Sequence, residues 1–325
     1  MILAIETSCD DTCAAVIEAD GTIRANVISS QHVHDRFGGV VPEVAARHHL
    51  ELVDVVVENA LREAGIGLDD VELVGVTQGP GLVGALLIGL SEAKAIAAAR
   101  ELPLAAVDHL QGHVAANFLG PEPFAPPFVC LIASGGHTLL AHVTEHDGFT
   151  VLGSTLDDAA GEAFDKGARM LGLGYPGGPA LQKLAAGGDP AAHRFPTADN
   201  VAGLDFSFAG VKTALLYALR EDDRPSDADL AAAYQHAIVE QLARRTEQAL
   251  EQTGLDRLAI GGGVAANGPL RERLGGLHGV TVHIPPHALC TDNAAMIASA
   301  ARYVAPLAPA DYLGLDAYAS GERAL

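Results

Sequence analysis

The feature that most constrains this chain is a pattern that occurs twice. Ile2-Leu3-Ala4-Ile5 is an unbroken apolar run, the turn Thr7-Ser8-Cys9-Asp10-Asp11-Thr12 follows, and Cys13 to Ile17 is apolar again. Short apolar runs bounded by turn residues read as buried strands, so the three predict a β-hairpin. The same form returns at Phe128 to Ala133, Ser134-Gly135-Gly136-His137-Thr138 and Leu139 to Val143, 126 residues further on. Two unrelated hairpins would look alike. In 325 residues, enough for about two domains, the recurrence suggests two lobes that each open with strand, turn and strand. Between them, residues 119–127 hold four prolines, which excludes helix and central strand and marks a linker. The expected division is a first lobe over 1–118, a linker over 119–127 and a second lobe over 128–325.

The rest of the chain alternates strands and helices, which places it in the α/β class. A strand is expected near Ile23 to Ile28, and helical periodicity runs over 42–64. Val74 to Thr77 reads as a strand, Gly79-Pro80-Gly81 as a turn, Val83 to Leu102 as an apolar helix and Leu104 to Val107 as a short strand. In the second lobe, a helix is expected from Asp158 to Leu171, then a rigid turn at Tyr175-Pro176-Gly177-Gly178-Pro179. A long helix spans Asp227 to Thr253, with Ser226 as its N-cap. Leu258 to Gly261 is a strand, a helix begins near Pro269, Val280 to Ile284 is a strand, and a last helix begins at Thr291-Asp292-Asn293.

Composition narrows the function. Hydrophobic residues make up 49% of the chain, enough for a sizeable core. Twenty Lys and Arg stand against 41 Asp and Glu, a net charge of −21, which argues against a protein that grips phosphate backbones unaided. The cysteines Cys9, Cys13, Cys130 and Cys290 are scattered and form no C-x-x-C pair, so neither a disulfide scaffold nor a structural zinc site is indicated. The N-terminus lacks the basic region of a signal peptide, and the uncharged stretch Leu73 to Ser91 is broken by Gln78-Gly79-Pro80-Gly81. The expectation is a cytoplasmic protein with no membrane span.

Several residues are placed to do chemistry. Small-residue turns lie at three predicted strand ends: 6–12, 134–138, and Gly261-Gly262-Gly263 with Asn267. Such turns let backbone N–H groups and hydroxyls cradle phosphate, although an ordinary hairpin explains any one of them. Neither a Walker motif nor G-x-G-x-x-G follows the first strand. His109-Leu110-Gln111-Gly112-His113, if helical, puts two imidazoles at i and i+4, the spacing that chelates one metal; packing histidines occur at that spacing too. His48, His49, His283 and His287 read as surface or packing residues. A zincin protease needs H-E-x-x-H, and here Leu110 and Gln111 stand inside the pair. Two histidines and a carboxylate suit Fe(II) as well as Zn(II). Asp292 is a candidate third ligand, with a simple helix N-cap as its other reading. Asp165 sits late in its predicted helix, where a negative charge is unfavourable. Binding ribose hydroxyls would offset that cost; a surface pair with Lys166 or Arg169 explains it equally well.

Taken together these residues resemble the TsaD family, the universal tRNA threonylcarbamoyl transferase subunit formerly described as an O-sialoglycoprotein endopeptidase. The likeness runs from Ile5 to about Ala305. It rests on Glu6 to Thr12, Gly39-Val40-Val41-Pro42-Glu43, Gln78 to Leu82, His109 with His113, Ser134 to Thr138, Asp158 to Lys166, Tyr175 to Pro179, Phe206 to Thr213, Gly261 to Asn267 and Thr291-Asp292-Asn293. A shorter bacterial paralogue of the family lacks the metal histidines, so this chain resembles the catalytic member.

The resemblance implies an α/β actin-like ATPase fold of the Hsp70 and sugar-kinase kind, two duplicated lobes around a cleft. It implies a divalent metal, iron in many members with zinc as the other choice, on His109, His113 and Asp292. It implies a site for threonylcarbamoyl-adenylate, or an ATP-type nucleotide. Ile132, Ala133, Ser134, Gly135 and Gly136 would face the phosphate and acyl part, and Asp165, Gly178 and Asn267 would hold the nucleoside. The implied reaction moves the threonylcarbamoyl group to N6 of the adenosine 3′ of the anticodon in tRNAs reading codons that begin with A, and AMP leaves. Asp11 would position or deprotonate the amine; many relatives have Glu there. Gln182 stands where some relatives have Asp, so one ribose contact is in doubt. Implied partners are tRNA, the shorter actin-fold paralogue, a P-loop ATPase and an upstream enzyme making the adenylate. An actin-fold small-molecule kinase is the competing reading, but Mg²⁺ on carboxylates and water has no need of two imidazoles. A non-catalytic scaffold is the other, and complete motifs argue against it.

Overall fold

In the computed structural model, residues 1–319 are described, and every count below is of these residues. Residues 320–325, the end of the expected second lobe, lie outside the described residues. The chain forms two compact units. The first takes Met1–Ala125, the short stretch Glu145–Gly148, and the chain from Pro285 on; the second takes Pro126–Thr144 and Phe149–Ile284.

The first unit is built on a five-stranded sheet. Its strands are β1 (Ile2–Glu6), β2 (Asp11–Ile17), β3 (Ile23–Ser30), β4 (Leu73–Gly79) and β5 (Leu104–Asp108), in the order β3-β2-β1-β4-β5. β1 runs antiparallel to β2, from Ile2 opposite Ile17 to Glu6 opposite Cys13, and parallel to β4. β4 and β5 are also parallel. Helices α1 (Pro42–Ala64) and α2 (Val83–Ala99) pack on the sheet and on each other. The short α3 (His109–Ala115) follows β5 without a gap. The uncharged stretch Leu73 to Ser91 thus resolves into a strand, a turn and half a helix. No described helix is long and apolar enough to cross a membrane.

The second unit repeats this plan. Its sheet of β6 (Phe128–Ala133), β7 (Thr138–Glu145), β8 (Gly148–Ser154), β9 (Arg257–Gly261) and β10 (Thr281–His283) has the order β10-β9-β6-β7-β8. Read from the other edge, this is the arrangement of the first sheet, with β6 antiparallel to β7 and parallel to β9, and β9 parallel to β10. The recurrence of one hairpin in the sequence is therefore the recurrence of a whole sheet. The helices are α4 (Ala160–Met170), α5 (Gly177–Ala185), α6 (Ala209–Ala218), α7 (Asp227–Thr253) and α8 (Gly268–Gly275). Ser226 caps α7 as expected, its side chain accepting from Asp229 N.

Beyond Ile284 the chain returns to the first unit with α9 (His287–Cys290) and α10 (Ala294–Ala301). The expected division kept this segment in the second lobe. The physical reason for its return is burial. Every residue of α10 is buried, and the helix lies against β1, β2 and α3, where its alanines allow close approach. Two further differences bear on function. The turn expected at 175–179 runs straight into α5, and α4 begins at Ala160, so Asp158 precedes the helix. β8 and α6 were not foreseen.

Candidate functional site

Parallel pairing brings the carboxyl ends of β1, β4 and β5 side by side, where open α/β sheets hold their ligands. Glu6 ends β1, Thr77 lies near the end of β4, and His109 opens α3 directly after β5. Asp108 starts that helix. Its Oδ1 accepts from Leu110 N at 2.8 Å and Gln111 N at 3.1 Å, satisfying two of the backbone donors that a helix start leaves open. Its Oδ2 accepts from the Tyr318 hydroxyl at 2.7 Å. Nothing in the sequence after Ala305 foretold that contact.

α3 is helical as the histidine spacing requires, and the two rings meet edge to face, centroids 4.7 Å apart. Asp292 joins them: its Oδ1 lies 3.7 Å from His109 Nε2 and 3.3 Å from His113 Nε2. One ligand atom from each of the three residues lies within 4.8 Å of the others. Asp292 does not cap α10; Asn293 does, accepting from Met296 N at 3.0 Å. Gly112 makes the approach possible. A Cβ there would lie 2.7 Å from Ile297 Cδ1, so any larger residue between the histidines would have to displace that buried side chain of α10.

The donor set fits a divalent ion. His113 is wholly buried, and neither of its ring nitrogens makes a hydrogen bond. A buried imidazole without hydrogen bonds is costly, and a metal on Nε2 would remove part of that cost. Two imidazoles and one carboxylate, with coordination positions left over, match iron or zinc chemistry.

The sequence marked Glu6 only as the first residue of a small-residue turn and gave it no role at the histidines; it is 0% exposed. Its Oε2 accepts from His109 Nδ1 at 3.1 Å and from the Thr77 hydroxyl at 2.5 Å, while Oε1 accepts from Ser8 N. Burial opposes ionisation of this carboxyl, yet His109 holds it below the usual range. Burial likewise opposes charge on His109, but Glu6 and Asp292 lift the imidazole to about 9. The signal available was an acid closing an otherwise apolar strand.

The loop after β1 is fixed from several sides. His49 of α1 is buried, its Nδ1 2.8 Å from Thr12 Oγ1 and its Nε2 3.0 Å from the Cys9 carbonyl, so it packs, as expected. Asp11 opens β2. Burial pushes its carboxyl up to about 7; a hydrogen bond from Ser30 works the other way, and Asp292, Asp10 and Glu6 add to the rise.

In the second unit, the ends of β6 and β9 again lie together, Ile132 opposite Gly261. Gly262, at φ +86°, passes so close to Ala133 that a Cβ would sit 2.3 Å from its carbonyl oxygen. The turn beyond β6 is tied by Ser134 N to the His137 carbonyl at 2.8 Å, and Gly161 N donates to the Ser134 carbonyl at 3.0 Å. Gly135 and Gly136 are exposed, with open space where side chains would be. Asp165 accepts from Gly177 N at 2.8 Å, tying α4 to the start of α5, where Gly178 follows. Lys166 pairs with Asp158 and Glu162, both at 2.7 Å. Asn267 caps α8 through Leu270 N at 3.0 Å, and its Nδ2 donates to Gln182 at 2.9 Å and Gln235 at 3.0 Å. Gln182 therefore holds Asn267, and its Oε1 also takes Gly268 N at 2.9 Å. Lys212, from the Phe206 to Thr213 motif, joins Asp158 at 2.6 Å, and Asp157 caps α6 through Phe208 N and Ala209 N.

The fold is that of the actin-like ATPases, here with a His–His–Asp cluster at the strand ends of one unit. The likeness is a TM-score of 0.58 to (R)-2-hydroxyglutaryl-CoA dehydratase component A of Acidaminococcus fermentans. That match is 17% identical and covers 93% of this chain and 96% of that one. Full-length HypF in its phosphate- and nucleotide-bound form gives 0.60, at 14% identity over 93% of this chain and 54% of that one. Sequence goes further. A family model described as TsaD, tRNA N6-adenosine threonylcarbamoyltransferase, matches residues 22–299. Proteins of that name from Clostridium perfringens (strain SM101) and Clostridium botulinum (strain 657) are each 50% identical, over 93% of this chain and 92% of theirs. The chain belongs to the TsaD family and is an enzyme of that class.

Proposed function

We propose that this enzyme transfers the threonylcarbamoyl group from threonylcarbamoyl-adenylate to N6 of the adenosine 3′ of the anticodon in tRNAs reading codons that begin with A, releasing AMP. The observation that carries the reading is 50% identity, over 93% of the chain, to relatives named for this activity. The His109, His113 and Asp292 cluster supports it. These three residues hold one divalent ion, iron first and zinc second. When bound, that ion supplies Lewis acidity and a template for phosphate or carbonyl oxygen.

The protein's own groups do the rest. An exocyclic adenine amine is a poor nucleophile, and the mixed anhydride offers an activated carbonyl with a good leaving group. Holding the two together removes much of the barrier. Ile132 to Gly136 face the phosphate and acyl part, with the exposed Gly135–Gly136 backbone as donors. Asp165, Gly178 and Asn267 line the nucleoside, and Asn267 acts mainly through its position, since both its Nδ2 hydrogens are held by glutamines. Asp11 orients the amine or accepts its proton, a task that suits a carboxyl near neutrality. The chain beyond Ile284, part of the first unit, supplies Asp292 to the two histidines.

At a net charge of −21 the tRNA is held by local basic patches and by partner subunits, a shorter actin-fold paralogue and a P-loop ATPase, in the cytoplasm. The test supplies threonylcarbamoyl-adenylate, unmodified tRNA and these partners, and reads modified adenosine by mass spectrometry. Its appearance is expected; its absence with every partner set refutes the proposal.

A further inference from the structure

We propose that Glu6 is a positioning residue of the metal centre, holding His109 as the tautomer whose Nε2 lone pair faces Asp292. The inference rests on the metal reading of His109, His113 and Asp292. A neutral imidazole has one donor and one acceptor nitrogen, and only the acceptor can bind a metal. His109 Nδ1 lies 3.1 Å from Glu6 Oε2, and an ionised carboxylate can only accept. Nδ1 then keeps its proton, and Nε2, 3.7 Å from Asp292 Oδ1, is the nitrogen that gives up its proton to a metal. Ser8 Oγ, 3.2 Å from the same Nδ1, cannot impose this choice, because a hydroxyl both donates and accepts.

Glu6 is built to keep its orientation. The side chain is fully buried, and donors from Thr77 and Ser8 engage its two oxygens, leaving the His109 contact as the one directed at the cluster. β1 and β4 supply the acid and its Thr77 support, so the arrangement is carried by strands rather than by a loop. A purely structural residue at this point would need no charge: glutamine keeps an oxygen for Ser8 N, and its NH₂, in place of Oε2, can donate to the Thr77 hydroxyl, which also accepts. What glutamine cannot do is refuse the other tautomer. Its NH₂ can donate to Nδ1, which moves the ring proton to Nε2 and blocks ligation.

The test is Zn²⁺ binding to the full chain, stripped of metal and titrated against a chromophoric chelator. Glu6→Gln is expected to bind Zn²⁺ about 10–100-fold more weakly than wild type, the range for loss of such an outer partner, with its thermal midpoint recorded alongside. Thr77→Val, which loosens Glu6 without touching His109, is expected to give a smaller loss. His113→Ala tests the underlying reading. If it binds Zn²⁺ as wild type does, the metal reading fails; if it loses Zn²⁺ while folded Glu6→Gln keeps wild-type affinity, the role of Glu6 alone is refuted. The wild type gives a second readout that needs no variant to fold. In the Zn²⁺-loaded protein, ¹⁵N-histidine NMR is expected to show His109 protonated at Nδ1 and metallated at Nε2. Metal on Nδ1 would overturn the proposal.

Discussion

Adding one methyl group at Gly112 tests whether the closeness of α3 and α10 is what brings Asp292 to the histidines. Alanine in a helix interior is favoured over glycine by about 0.5–1 kcal/mol. Against this, the new Cβ would lie 2.7 Å from Ile297 Cδ1 and 3.3 Å from Met296 Cγ. Both residues are fully buried on α10 and have little room to yield. Overpacking of a filled core costs about 1–3 kcal/mol, so the clash wins and Gly112→Ala is destabilised by about 1 kcal/mol net. For a unit of this size that lowers the calorimetric midpoint by about 2–4 °C. Ile297→Val removes the Cδ1 atom that is struck. On its own it costs about 0.5–1.5 kcal/mol, but in its background Gly112→Ala should be neutral or stabilising. The coupling between the two sites is the quantity to measure. If Gly112→Ala raises the midpoint in the wild-type background, or has the same effect in both, the contact does not set the helix separation.

Three other outcomes are expected. Asp108→Ala removes the cap of α3 and should cost about 0.5–2 kcal/mol, read by urea denaturation, with faster amide exchange at Leu110 and Gln111. Asp11 has its carboxyl raised from the ordinary 3.8 to about 7, so the folded chain keeps a proton that the unfolded chain has released. Stability therefore falls as pH rises through that window. Asp11→Asn should flatten the fall and be the more stable protein at about pH 8, and thermal midpoints across the window will show whether it is. Binding of tRNA by the isolated chain should be weak and fall steeply with salt in filter-binding assays; tight, salt-insensitive binding would contradict the charge argument.

The sequence was most legible where one periodicity dominates. β1, β2, β6 and β7 are each centred on an apolar run, and α1 and α7 keep one face buried over many turns, so these elements sit close to where they were expected. His109 and His113 were legible because i and i+4 share a helix face. Long-range pairing was not. Lys212 meets Asp158 across 54 residues, and Tyr318 reaches Asp108 across 210, with no local pattern to announce either. Asp292 was visible as a candidate third ligand or a helix cap, and the cap proved to be Asn293 beside it. The contact of Glu6 with His109 was not legible, because an acid after an apolar strand reads as the first residue of a turn. α10 was assigned to the wrong unit because alanines carry no address; only its complete burial shows which sheet it covers.

The most direct measurement of the central claim is the rate at which threonylcarbamoyladenosine appears in tRNA, followed by mass spectrometry in a reconstituted system containing the adenylate and partner subunits. Wild type is compared with His113→Ala and Asp292→Ala, each supplied with the same metal at the same concentration. The account predicts modified adenosine with wild type and little or none with either variant. Full-rate modification by both variants would contradict it.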